Sequence, residues 1–284
     1  MSGYASDSWL GTRGWTVEKD GHAIGLSKTT FKAIFPLMCT PPWALHVGLS
    51  GPDHVKRELL GHVVRRRALL NVLDLGPDAL AEPPRGWTSV TRHTRQLGLE
   101  ENDDNAIPKT RLKQARRFER EGGTVSLHEH KEGWEQVLAL HKASRTRKGL
   151  PHHGSDLQAL LDHISKEPWT FAVTAHDAEG ACVASGGFVL LPSGTCVYAF
   201  GGQRRSEGSG RASVAMLVQA MRMAQTRGCT CFDFGGSLDP GVDRFYTEFG
   251  ANAVAMERWV GVPFWFKWLF PRTWRTWTKS SPHF

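Results

Sequence analysis

Residues 232–251 read FDFGGSLDPGVDRFYTEFGA. An apolar strand stops on an acid, two glycines follow, and a short helix then closes on another glycine. Asp239 is a good N-cap, Pro240 fits the first helical position, and Gly250 suits the left-handed residue just past a helix end. Val242, Phe245 and Phe249 share a face able to dock on a sheet. Gly235 and Gly236 remove side chains where a ligand or another backbone must come close. Asp233 sits among apolar and thiol residues, so it needs a partner once buried, and Arg244 is the nominated one.

The alternation extends upstream. Apolar periodicity predicts helices over 108–121, 131–147, 155–165, 211–227 and 240–249, with strands over 169–176, 181–191, 195–202 and 229–234. Gly-bearing turns at 178–180 and 192–194 separate the strands as hairpins do. In the first hundred residues, Lys19-Asp20-Gly21 joins two extended runs in a hairpin signature. A helix opens after Pro52, with Leu59, Leu60, Val63 and Val64 as its apolar face; NVLDL (71–75) reads as a buried strand and 83–99 as extended chain. The Pro- and Gly-punctuated run 36–52 reads as loop. A polar break at 100–108 suggests a linker. These signals predict an α/β protein with a mixed sheet, organised as 1–104, 105–260 and an aromatic, basic tail, 261–284.

The bulk numbers bound the partners. The 284 residues carry a net charge of +7, are 40% hydrophobic and 22% charged, and include five cysteines. That is a soluble, globular balance with a mild pull toward polyanions. No apolar run reaches the length of a membrane span, and residues 1–15 lack a secretory pattern, so a cytoplasmic protein is expected. Five scattered cysteines suit reduced thiols rather than a disulfide framework. His128-Glu129-His130 and His152-His153 lack a third ligand at metal spacing, so no metal site is expected.

Three segments carry candidate chemistry. On a helix, Lys109, Lys113, Arg116 and Arg120 fall within an arc of about 60°, with Arg117 beside them, while Leu112, Ala115 and Phe118 lie on another face. Such a stripe can neutralise phosphates, or simply face water. Arg145, Arg147 and Lys148 crowd a helix end, where cations suit the dipole and can also clamp an anion. Arg205, Gly208 and Gly210 lie between a strand and a helix whose buried face is Val214, Leu217, Val218 and Met221. Arg-x-x-Gly-x-Gly in that position is how GNAT-type N-acetyltransferases cradle the coenzyme A pyrophosphate, on free N–H groups at a helix start.

Together these segments resemble the Fem family of aminoacyltransferases, which are built from GNAT-like folds. IPKTRLKQARRFEREGG (107–123), ALHKASRTRKGLP (139–151) and the 232–251 stretch carry the likeness, strongly over 105–251 and loosely before that. The resemblance implies two GNAT-like halves, the first of them trimmed. It implies amide-bond formation, in which an amine on a cell-wall precursor, peptide or antibiotic-type small molecule attacks the ester of an aminoacyl-tRNA. No bound cofactor is then needed. Lys109, Lys113, Arg116, Arg117 and Arg120 would contact tRNA phosphates. Arg145, Arg147, Lys148 and Arg244 would hold substrate, and Phe245 and Tyr246 would line the transfer site, with Asp233 or Tyr246 as proton acceptor. The family often has Lys directly after the Arg-Phe pair; here that position is Tyr246, a phenol able to donate to an oxyanion without bearing charge. The alternatives are an acyl-CoA N-acyltransferase using Arg205, Gly208 and Gly210, and a non-catalytic binding module on the same fold. Trp265, Trp268, Trp274 and Trp277, interleaved with Lys267, Arg272, Arg275 and Lys279, suit peripheral contact with a membrane or packing on the protein's own body.

Overall fold

A computed structural model describes residues 3–11, 14–77, 79, 82–99, 106–151, 154–205, 208–236 and 239–279. The chain forms two compact units. The first comprises Met1–Arg95, Gly236–Asp243 and Ala253–Phe284; the second comprises Gln96–Gly235 and Arg244–Asn252.

The first unit opens with α1 (Asp7–Leu10), β1 (Gly14–Lys19), β2 (His22–Phe31), β3 (Phe35–Cys39), α2 (Asp53–Arg65) and β4 (Leu70–Leu75). Strand β5 (Thr88–Gly98) begins in this unit and ends in the second. Asp20 and Gly21 both take left-handed φ values, +50° and +76°, which matches the twist of a two-residue hairpin. β1, β2 and β3 are antiparallel, β3 then runs parallel to β4, and β11 (Asn252–Gly261) pairs antiparallel with β4. Leu59, Leu60 and Val63 of α2 bury against Ile24, Leu26, Met38, Leu73, Leu75 and Trp259. Helix α2 stops at Arg65, short of the RRALL run, because its apolar spacing ends there.

The second unit runs through α3 (Lys109–Arg120), β6 (Thr124–His128), α4 (Trp134–Arg147), α5 (Gly154–Ile164), β7 (Thr170–His176), β8 (Cys182–Leu190), β9 (Thr195–Gln203), α6 (Ser209–Thr226) and β10 (Cys231–Asp233). Helix α7 (Pro240–Thr247) begins in the first unit and ends in this one. β6 to β9 form an antiparallel meander, and β10 joins β9 in parallel. The end of β5 pairs antiparallel with β10. Val214, Leu217, Val218 and Met221 of α6 are all buried, as their spacing predicts. The helix starts at Ser209 rather than 211, so Gly210 lies in its first turn, not in the preceding loop. Two short helices of the first unit follow β11, α8 (Phe264–Leu269) and α9 (Pro271–Trp277). Among the described residues no helix is long and apolar enough to cross a membrane.

Candidate active site

Strand β9 outruns its neighbour. Thr195, Cys196 and Val197 pair with Cys231, Phe232 and Asp233, and there β10 ends. β9 continues to Gln203 paired with β8, while its ladder to β10 ends at Val197. A one-residue register shift, with Phe188 opposite Tyr198 and Gly187 opposite Phe200, leaves Ala199 as a bulge. Bulges re-aim side chains. Here Tyr198 stacks on Phe188 at 5.3 Å and swings across Gly201, where a Cβ would collide with its phenol. Burial pushes the Tyr198 phenol well up from its ordinary range, so it keeps its proton and can donate.

The exit from β10 is held locally. Asp233 is buried; one oxygen accepts from the Gly235 N–H at 2.7 Å and the other from Gln96 Nε2 at 2.8 Å. Gly235 takes φ +74°, which lets the chain turn out of the sheet. The expected Asp233–Arg244 pair does not form. Arg244 is 82% exposed in its side chain and instead donates to Glu248, one turn along the same helix, at 3.1 Å. A helical i,i+4 partner lies within easy reach of a long side chain, which the buried strand end does not.

Helix α7 follows its sequence signals at both ends: Asp239 Oδ1 accepts from the Gly241 N–H at 3.0 Å, and Gly250 takes φ +84°. Tyr246, more than Phe245, is its buried aromatic. It packs on Phe234 at 5.0 Å, while Phe249 meets Phe234 at 5.5 Å. Phe245 is half-buried and Arg244 faces solvent, so the three residues expected to line one site point to three environments.

Arg111 is the residue that sequence reasoning missed. It is buried on α3, donates to the Glu248 carboxylate and, at 3.3 Å, to the Glu248 carbonyl, and bonds Gln114 at 2.7 Å. Its guanidinium lies 5.1 Å from both the Phe245 and Phe249 ring centres. Arg111, Ala115 and Phe118 share the inward face of α3, so a cation at an apolar position was the available signal. The outward face carries Lys109, Lys113, Arg116, Arg117 and Arg120, all exposed. Arg117 pairs with Glu121 at 2.7 Å, and Glu121 also binds Arg211 at 2.8 Å. These two arginines hold the Glu121 carboxyl below its ordinary value. An open depression of about 890 Å³ runs along Lys113, Arg116, Arg117 and Arg120.

The α4 cations meet backbone. Arg145 Nε donates to the Pro151 carbonyl at 2.6 Å, and Arg147 donates to the Gln203 carbonyl, at the end of β9, at 3.3 Å; Lys148 is exposed. His141 contacts the Gly201 carbonyl through Nδ1 at 3.3 Å, and burial, with Arg145 nearby, lowers its pKa to about 4. Gly208 takes φ +80° as the N-cap of α6, and a Cβ at Gly210 would meet open space. Arg205 is exposed; Ser206 and Glu207 of the same motif, like His152-His153, lie outside the described residues. Among the described residues no cluster of three metal-ligating side chains occurs; His128 Nε2 bonds Thr174 Oγ1 at 2.9 Å.

Strand β9 carries the bulge, and helix α6 starts a few residues after its end, following Gly208. Residues 109–246 match the family model described as an acetyltransferase (GNAT) domain. The fold is similar to that of FemX, at 13% identity over 91% of each chain with a TM-score of 0.66, and the Fem-like form inferred from the motifs holds at the level of fold. It is also similar to L-PGS from Bacillus licheniformis, at 13% identity over 97% of this chain and 91% of that one, with a TM-score of 0.58. The C-terminal domain of a protein from Agrobacterium fabrum provisionally assigned as a lysylphosphatidylglycerol synthetase gives a TM-score of 0.56, at 9% identity over 88% and 85% of the two chains. No curated protein matches the sequence.

Proposed function

We propose that this chain transfers an aminoacyl group from aminoacyl-tRNA to an amine acceptor, forming an amide. The observation that carries the reading is the outward face of α3. Lys109, Lys113, Arg116 and Arg120 are exposed and make no ion pair among the described residues, on the helix whose Arg111 grips Phe245, Glu248 and Phe249. A row of unneutralised cations suits a phosphate backbone far better than it suits folding. The lysylphosphatidylglycerol synthetase name describes a lysyl group joined to a lipid, which supports aminoacyl transfer as the class of reaction.

In this reading the neutral amine attacks the ester carbonyl, a C–N bond forms and the C–O bond to the tRNA ribose breaks. The amine's proton ends on the departing ribose oxygen or in solvent. Tyr198, beside the β9 bulge, keeps its proton and is a donor for the tetrahedral oxyanion; Tyr246 is the second phenol for that role. Asp233 already accepts from Gly235 and Gln96, which favours holding the strand exit over removing a proton. Arg145, Arg147, Lys148 and the exposed Arg244 remain the cations proposed for an acidic acceptor.

One observation favours a second reading. Gly208 at the start of the 18-residue α6, with Gly210 unobstructed, suits the pyrophosphate of an acyl-CoA. Calorimetry against acetyl-CoA, beside filter retention of a charged-tRNA pool at two salt concentrations, separates the two. The expected result is salt-sensitive tRNA retention without a CoA signal, and a log–log salt slope reduced by about 2–3 in the Lys113→Ala, Arg116→Ala, Arg120→Ala triple variant. CoA binding abolished by Gly208→Val would make this an acyl-CoA enzyme. Neither signal would leave a binding module on the same fold.

A further inference from the structure

Helix α8 is apolar on nearly every side. Of its six residues, Lys267 alone is polar, and a helix of that kind belongs in a core. Yet only Phe266 is buried: Phe264 and Trp268 are 76% and 73% exposed, Leu269 66%, and Trp265 also faces out. Ile34, 73% exposed, crowns the β2–β3 turn beside them. These five are most of the exposed large apolar side chains among the described residues.

The display is held in place. Phe31 and Phe35, flanking that turn, pack on Trp265, Phe266, Phe270 and Trp277 at 5.2–5.8 Å. Phe266 stacks on Trp277 at 5.2 Å. The turn takes left-handed φ values at Lys32 and Ala33, +50° and +59°, a conformation costly for side chains other than glycine's. Thus the inner aromatics fix a rigid platform while the outer ones face water.

Cations border this platform. Lys32 lies over the Phe270 ring at 5.1 Å and Lys267 over Trp274 at 4.4 Å. Arg272, Arg275 and Lys279 follow at helical spacing, all exposed, and residues 261–279 contain no acid. None of these five cations makes an ion pair among the described residues. Exposed Trp, Phe and Leu beside unneutralised Lys and Arg is the composition of an interfacial anchor, and an apolar partner protein would not need the charges.

We propose that α8, α9 and the β2–β3 turn form a docking surface for an anionic lipid bilayer, with Phe264, Trp268, Leu269 and Ile34 entering the headgroup boundary. The proposal is independent of which donor the transfer site takes. The test is flotation of the full chain with phosphatidylcholine vesicles, with or without phosphatidylglycerol, beside tryptophan quenching by brominated lipid. Expected are quenching, binding about ten-fold tighter to the anionic vesicles, and loss of that preference near 1 M salt. A Phe264→Ser, Trp268→Ser variant, whose exchanged side chains are exposed, should unfold like the parent and bind anionic vesicles at least about ten-fold more weakly. Failure of the parent to float, or floating unchanged in that variant, overturns the proposal. So does a concentration-dependent dimer that the same variant abolishes, which would make a second copy the occupant, or retention of tRNA by these cations in place of vesicles.

Discussion

His141 carries a pH consequence that can be read from one side chain. Its imidazole is kept neutral by burial and by Arg145, with a folded pKa of about 4 against an ordinary 6.5. Between those values the unfolded chain takes up a proton that the folded chain refuses, so stability falls as pH drops from 6.5 toward 4. The loss is about 3 kcal/mol. Denaturant midpoints across that window should decline more steeply in the parent than in His141→Gln; parallel declines would remove His141 from the account. Arg111 is likewise decided by its immediate contacts. Its charge is satisfied by Glu248 and by two ring faces, so it acts as a clamp on the segment after α7 and leaves phosphate contact to its outward neighbours.

At the level of elements, α4 and β9 meet backbone to backbone at Gly202. A Cβ at Gly202 would overlap the Leu140 carbonyl group and come within 2.8 Å of the His141 nitrogen. Gly202→Ala must therefore lift the helix off the strand, at a cost of about 1–3 kcal/mol, measurable as a lower urea midpoint. Helices α2 to α7 were legible because their caps and apolar periods are local, whereas the short α1, α8 and α9 were not. Pro240 and Gly250 bracket α7, and the buried face of α6 repeats at helical spacing. Three strands were not. Pro36 argued against β3, but it pairs with Thr30 just before the parallel ladder to β4 begins at Leu37, where its missing N–H does no harm. β6 is short and half-buried, and β11 buries Arg258, which breaks the alternation that marks a strand. The candidate site divides the same way. The basic face of α3 and the turn of α7 are sequence-local, whereas Gln96 on Asp233 and the set of Tyr198 depend on pairing and on a bulge that no spacing announces.

For the molecule as a whole, the first unit rests on a buried charge cluster. Asp74 receives Nε and Nη2 of Arg258, each at 2.8 Å, together with Arg92, and all three are almost wholly buried. Burial, with Asp74 close by, raises the Cys39 thiol to about 11. Asp74→Asn would leave two guanidinium groups without their counter-charge, and a loss of about 3–5 kcal/mol is expected. Equilibrium unfolding should register it, and an unchanged midpoint would show that the cluster contributes little. Arg258 reaches this cluster from β11, almost at the end of the chain, whereas Asp74 and Arg92 come from its first third. The backbone leaves the first unit after Arg95, returns for Gly236–Asp243, and returns again from Ala253. Such interleaving bears on heredity as much as on folding. A single recombination point between codons 96 and 235 would draw β4 and β11, and Asp74 and Arg258, from different parents, so the first unit is inherited whole only when its three segments travel together.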